Sequence, residues 1–475
     1  MEHLYDKLKA YGASDFYPCH MPGHKRNLNG YPMQAFYGID ITEIDGFDNL
    51  HKPEGILREL MDRAGSLYGA ETYLLVNGST GGILSALSAV LPRGGTLLMA
   101  RNCHKSVYHG VYLNGYKTEY IFPSYLEEYG ICGAISPKQV RRQLAENPRI
   151  GAVFLTSPTY DGVASDVAAI AEAAHEKGIP VIVDAAHGAH FFLDDRFPKD
   201  AVAGGADIVI HSIHKTLPAL TQTALLHVQG DLIDRMRLRR FLQIYQTSSP
   251  SYILLAGIEQ CISILENEGK ALCDRFFAAN EKFAQKTAAL QKIKILSEEE
   301  YTAKGQRLVL DAGKKILSVR GTKLTGQALH SCLLQSYHLQ MEMAGVDYVT
   351  AIMTIADSRE GFLRLADALL AIDKTLLLSE REPLVKAIAY PEAVCDIFTA
   401  MEAASEQIPL AECAGRVSAG FIQIYPPGIP LIVPGEIFTE EVRERLMLYG
   451  RLGLTIEGMN DQNQTVTVIR KETYA

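Results

Sequence analysis

HSIHKTLPAL, residues 211–220, directly follows GGADIVI (204–210). The earlier run is short and apolar enough to read as a buried strand. A lysine delivered to the end of such a strand, between a histidine and a threonine, is costly to bury. Its amine has to be neutralised, paired or used covalently. What stands at the ends of the neighbouring strands decides among these.

The same rhythm runs upstream. TYLLV (72–76) leads into NGSTGG and the helical ILSALSAV. TLLMA (96–100) leads into RNCHKSV, and IGAVFLT (150–156) into SPTYDG. VAAIAEAAHEKG reads as a helix closed by Gly178, followed by a strand over 179–183 that Asp184 ends. Short apolar runs alternating with helices predict an α/β fold, a mostly parallel sheet with helices on both faces. Upstream of it, PEGILRELMDRAGSLYG has helical spacing and stops at glycine.

Past residue 230 the texture is more helical, with a helix expected over 274–293. KILSVRG and ALHSCLLQS suggest a smaller α+β region, and the proline-punctuated YPPGIPLIVPGE (425–436) precedes a last helix over 439–453. The expected division is an arm over 1–50, a large domain over 51–300 and a smaller C-terminal α+β region over 301–475.

Composition narrows the function. Lys plus Arg number 46 against 55 Asp plus Glu, a net charge of −9, which argues against general nucleic-acid binding. The basic run RMRLRR (235–240) reads as a solvated helix face. The eight cysteines, Cys19 among them, are scattered without a C-x-x-C pair, so a zinc site or disulfide framework is not expected and a reducing compartment is. There is neither a signal-type N-terminus nor an apolar run of membrane-spanning length, so the expectation is a soluble, cytoplasmic protein without a membrane partner.

Ligands of open α/β sheets bind beyond the carboxyl ends of the strands, and four signals gather there. Gly78, Ser79 and Thr80, between strand and helix, suit a phosphate, although Ser79 or Thr80 could equally be a plain N-cap. Asp184 could pair with a cationic ring nitrogen, cap a helix or bind a metal. His104 could stack on a flat ring or serve structure alone. Lys215, one strand after Asp184, carries an amine whose pKa desolvation would lower. Pyridoxal 5′-phosphate asks for all four together: a phosphate cup, a ring-facing residue, an acid at the pyridine nitrogen and a Schiff-base lysine.

These residues sit within a wider resemblance. MPGHK (21–25), VNGST (76–80), RNCHKS (101–106), VDAAHG (183–188), HSIHKTLPALTQTALLHV (211–228), QTSSPSYILLAGIE (246–259) and YPPGIPLIVPGE (425–436) occur in the order found in the pyridoxal-phosphate-dependent ornithine/lysine/arginine decarboxylase family. The chain resembles its short form, without an N-terminal wing domain. The resemblance implies an aspartate-aminotransferase-like large domain, a homodimer or larger assembly with shared active sites, and decarboxylation of arginine or lysine, with ornithine behind them, in polyamine biosynthesis. It assigns Lys215 to the Schiff base, Asp184 to the pyridine nitrogen, His104 to the ring face and His187 to the phenolic oxygen. Gly78, Ser79, Thr80, Ser212 and His214 serve the phosphate, with Lys215 or His214 returning a proton to Cα. Thr247, Ser248 and Ser249 complete the neighbouring subunit's phosphate site, or cap the helix that follows. Where long bacterial members tend to read NGTS this chain reads NGST, and VDAAHG replaces a tryptophan-containing segment. Without the wing domain, their decamer and acid-induced activation are not carried over.

Other readings stay open from residues alone. A transaminase would need an arginine for the substrate carboxylate, for which Arg359 and Arg416 are available. A metal-dependent hydrolase could draw on Asp184, His187, His190, His211 and His214. A non-catalytic relative is the third. For the far end of a basic substrate the anionic candidates are Glu436, Glu412 and the acidic run Asp40–Asp48.

Overall fold

The structure is a computed structural model that describes residues 3–16, 21–22, 24–25, 33–303, 307–379, 389–425, 428–460 and 464–471. Cys19, part of the MPGHK arm and the two prolines at 426–427 therefore lie outside the described residues.

Seven strands form the central sheet: Glu71–Leu75 (β1), Thr96–Ala100 (β2), Lys117–Ile121 (β3), Ile150–Thr156 (β4), Val181–Asp184 (β5), Ile208–His211 (β6) and Ala224–Val228 (β7). Their order is β1-β7-β6-β5-β4-β2-β3. Only β7 is reversed, antiparallel to both β1 and β6, and the other pairings are parallel. The carboxyl ends of β1, β2, β4, β5 and β6 therefore open on one edge. The central strands are buried on both faces, which is why they read as continuous apolar runs rather than alternating ones. Two strands fall outside the sequence rhythm of apolar runs alternating with helices. KTEYI (β3) is an edge strand with Lys117 exposed, and ALLHV (β7) follows the lysine segment with no helix between.

Helix Gly78–Val90 lies against this sheet. A Cβ on Gly82 would meet Leu75 Cδ1 at 2.6 Å, so the last glycine of NGSTGG permits the close approach. Helix Arg235–Tyr245 packs over it, and the basic run is not simply solvated. Arg237 donates to the Ser88 carbonyl, and Arg235 and Arg239 pair with Glu71. One apolar core lies between the sheet and these helices. A second covers the opposite face, where Leu74, Val76, Ile213 and Leu225 pack with the 36-residue helix Tyr252–Thr287.

The helix expected over 274–293 is the last part of that long helix, and it stops earlier. The N–H groups of Gln291, Lys292 and Ile293 donate to the Asp373 carboxylate at 3.1, 2.8 and 2.7 Å, so these residues form a turn held from another helix. Beyond it, Lys294–Ile295, Lys314–Ser318, Tyr348–Ile352 and Met343–Ala344 build a four-stranded antiparallel sheet. The C-terminal part, with strands between Ser405 and Ile469 and the helix Glu440–Arg451, has a core of its own around Ile422, Phe438, Leu446 and Val468.

Candidate active site

A cavity of about 410 Å³ lies over the strand ends. From β1 comes Ser79, from β2 His104, from β4 Tyr160, from β5 Asp184 with His187, and from β6 His214 with Lys215. Parallel pairing sets Thr156 directly across from Asp184, and Asp184 across from Ile210, so the acid stands in the middle of the sheet edge.

Ser79 is not an N-cap. Asn77 occupies that position, and Ser79 Oγ accepts a 2.8 Å hydrogen bond from the buried Ser212 hydroxyl. The Gly78 N–H is spent on the Gln222 carbonyl at 3.0 Å, which removes it from the expected phosphate donors. The next two amides, of Ser79 and Thr80, have no carbonyl one turn back within the helix and so remain anion-seeking. The Thr80 side chain is exposed and does not line the cavity.

His104 serves structure and also lines the cavity. It caps the helix Lys105–Asn114, accepting from the Ser106 N–H at 3.2 Å, and one edge faces the cavity. Burial, with Lys215 and Lys105 nearby, lowers its pKa to about 4, so the ring is neutral. Asp184 is buried and accepts from the Ala186 N–H at 3.1 Å. Burial raises its pKa while Lys215 opposes the shift. Burial also lowers the pKa of the Lys215 amine, against the pull of Asp184 and Glu342. His214 turns Nδ1 to the Thr223 carbonyl at 2.7 Å, and burial holds its pKa below the ordinary value. Asn102 Oδ1, on the cavity wall, is buried without a hydrogen-bond partner among the described residues. A buried acid, a desolvated amine and a helix N-terminus are groups that a phosphorylated pyridine aldehyde requires, and the orphaned Asn102 oxygen leaves an acceptor unspent beside them.

Several expected residues are elsewhere. Thr247, Ser248 and Ser249 are exposed and do not line the cavity of their own chain. Thr247 Oγ1 accepts from the Ser249 N–H, the Thr247 N–H donates to Asn77 Oδ1 at 3.4 Å, and the helix that follows is capped by Ser251 instead. His211 and His190 diverge from the cavity toward Asp200 and Asp311, and among the described residues no group of three metal-ligating side chains gathers. Arg416 pairs with Glu406, and Arg359 begins a helix outside the cavity. Glu436 is consumed by Arg101, Asp48 accepts from four backbone amides, and Glu412 is exposed.

The structure adds three residues. Tyr160, in SPTYDG, follows a strand and was within reach of the strand-end argument. Glu342 lines the cavity and accepts from the Tyr160 hydroxyl at 2.6 Å. Lys314 points Nζ at His187 Nδ1 over 2.9 Å. The last two come from the second sheet and have no local signal.

Comparison with known proteins follows the same lines. Residues 3–316 match the family described as Orn/Lys/Arg decarboxylase, major domain, and 380–453 match its C-terminal domain. Arginine decarboxylase of Bacillus subtilis (strain 168) is 32% identical over 482 residues, spanning 99% of this chain and 98% of that protein. In fold, the crystal structure of the lysine decarboxylase LdcF of Francisella novicida is similar at a TM-score of 0.84 and 19% identity, covering 98% of this chain and 81% of that one. The ureidoglycine-glyoxylate aminotransferase of Bacillus subtilis aligns over 67% of this chain and 84% of that one, with a TM-score of 0.55 and 14% identity, so the large sheet is aminotransferase-like. With the family's major-domain and C-terminal models both matched and sequence similarity along nearly its whole length, the chain belongs to the Orn/Lys/Arg decarboxylase family.

Proposed function

We propose that the protein uses pyridoxal 5′-phosphate to remove the α-carboxylate of a basic amino acid, arginine first, as carbon dioxide, leaving the amine. The observation that carries this reading is the convergence of a desolvated Lys215 amine, buried Asp184 and neutral His104 in one cavity, with Glu342 on its wall.

The residues would divide the cofactor as follows. The amides at the start of helix Gly78–Val90 and the Ser79 and Ser212 hydroxyls would hold the phosphate. His104 would lie on the ring, Asp184 at its nitrogen and His187 at its phenolic oxygen, with Lys215 bonded to its aldehyde carbon. Bound there, the cofactor supplies an electron sink for the pair left on Cα when carbon dioxide departs. Asp184 keeps the ring nitrogen protonated, and its burial strengthens that attraction. Of the two candidates for returning a proton to Cα, Lys215 is favoured. His214 directs Nδ1 at a carbonyl, so its neutral ring has only a lone pair at Nε2.

Glu342 would bind the cationic end of the substrate. Tyr160 fixes one carboxylate oxygen, and lone pairs remain for a guanidinium, which suits two-point pairing. That the Bacillus subtilis relative is named arginine decarboxylase supports arginine over lysine. The same reading makes the enzyme a cytoplasmic homodimer supplying an amine for polyamine biosynthesis, with Thr247–Ser249 completing the neighbouring subunit's phosphate site. In its support, no helix among the described residues is long and apolar enough to cross a membrane.

The test is product identification by mass spectrometry, with arginine, lysine and ornithine offered in parallel to protein loaded with the cofactor. Agmatine as the dominant product is expected. No amine from any of the three, or turnover that depends on an added keto acid, would overturn the reading in favour of another reaction on the same fold.

A further inference from the structure

His187 is buried between two lysines. Its Nε2 lies 3.2 Å from Lys215 Nζ and its Nδ1 2.9 Å from Lys314 Nζ. A neutral imidazole has one N–H and one lone pair, whereas an ammonium group only donates. Two ammonium groups therefore cannot both be satisfied by one neutral ring, and a protonated ring could accept from neither. Burial and the two lysines hold His187 well below the ordinary histidine range, so the ring is neutral. At least one of the two amines must then be uncharged.

The surroundings distinguish them. Burial lowers the pKa of both amines, that of Lys314 to about 8, but Lys314 faces three acids, Asp311, Asp161 and Glu342, with Lys215 as the opposing cation, whereas Lys215 faces two, Asp184 and Glu342. His187 itself also faces His104 and His214. The Lys314 contact is the shorter of the two, as befits a charge-assisted hydrogen bond. The fold also makes room for this side chain. A Cβ on Gly162, which has φ +93°, would stand 2.5 Å from Lys314 Cγ and 2.7 Å from its Cβ, so the glycine opens the path from the second sheet into the site.

We propose that Lys314 is a positioning residue: its ammonium donates to Nδ1 and fixes His187 as the Nε2–H tautomer, which donates to Lys215 Nζ and keeps that amine neutral. The consequence for catalysis rests on Lys215 being the cofactor lysine, as proposed above. The tautomer assignment does not.

Nitrogen-15 NMR of histidine-labelled, cofactor-free full-length protein at neutral pH tests it, with the His187 signal identified by its loss in His187→Gln. The expected result is a neutral ring protonated at Nε2. In Lys314→Met the proton should move to Nδ1, because Lys215 can then donate to Nε2. The pH profile for capture of added pyridoxal 5′-phosphate should rise by about one unit, making capture about tenfold slower at neutral pH. An Nδ1–H ring in the wild type, or an unchanged tautomer in Lys314→Met, would overturn the proposal, and the wild-type measurement stands even if the variant does not fold. Wild-type protein that shows the Nε2–H ring yet captures no cofactor would support the hydrogen-bond assignment and sink the cofactor reading instead.

Discussion

Arg101 and Glu436, 335 positions apart, form a buried two-point ion pair, Nη2 to Oε2 at 2.9 Å and Nε to Oε1 at 3.1 Å. The same guanidinium donates to the Pro430 carbonyl at 2.8 Å, and Glu436 also accepts from the Val433 N–H at 2.9 Å. The pair staples the segment carrying Tyr425 and Ile429 to the end of β2, beside His104, where the Lys105 N–H meets the Gly428 carbonyl at 3.0 Å. Glu436→Gln would leave the buried guanidinium's charge uncompensated, at a cost of about 3–5 kcal/mol. Urea denaturation should show that loss, and the double variant Arg101→Met/Glu436→Leu should be less destabilised than either single change. Single variants as stable as the wild type would contradict the staple.

Glu342→Gln keeps the shape and the hydrogen bond from Tyr160 but removes the charge. If Glu342 binds the substrate's cationic end, KM for arginine should rise about tenfold or more, the scale of a charged hydrogen bond worth about 1.5–3 kcal/mol, with kcat moving less. Steady-state kinetics decide this. An unchanged KM would assign the role to another acid.

Lys215→Ala removes the only amine expected to bond to the cofactor aldehyde. Turnover should fall by at least about a hundredfold, and the absorbance of the lysine-bound cofactor should vanish while the fold persists. A variant that decarboxylates at the wild-type rate would refute the assignment.

Acid should destabilise the protein through His104. Burial, with Lys215 and Lys105 nearby, lowers its folded pKa to about 4 from an ordinary 6.5, so the unfolded chain takes up the proton first. The stability that the neutral ring contributes above pH 6.5 is lost as the pH falls toward 4, by about 3 kcal/mol in all. His187 and His227, both held well below the ordinary range by burial with lysine or histidine neighbours, add to the loss in the same direction. His104→Asn keeps a good N-cap without the titration, so its acid-unfolding midpoint, followed by circular dichroism, should lie at lower pH. A midpoint at or above the wild-type value would show that His104 does not carry the effect.

The sequence by itself determined the parallel α/β layers and many of the residues that line the cavity over the strand ends. Asp184, Lys215, His104 and Ser79 each stand just beyond or at the end of an apolar run, and parallel strands bring such ends to one edge whatever the rest of the chain does. It also displayed Glu436 as an available acid, but not that Arg101 takes it. Only the tertiary structure decided that Asp373 holds the turn after the long helix, that Gln222 occupies the Gly78 amide, that Glu342 reaches the cavity and that Lys314 reaches His187. Lys314 meets His187 across 127 positions of sequence, and Glu342 meets Tyr160 across 182. Hydrophobic periodicity is a property of a few neighbouring residues and reports which face of an element is buried. Which polar side chain then meets which depends on how the second sheet docks against the first, and that is settled by packing between segments far apart in the chain.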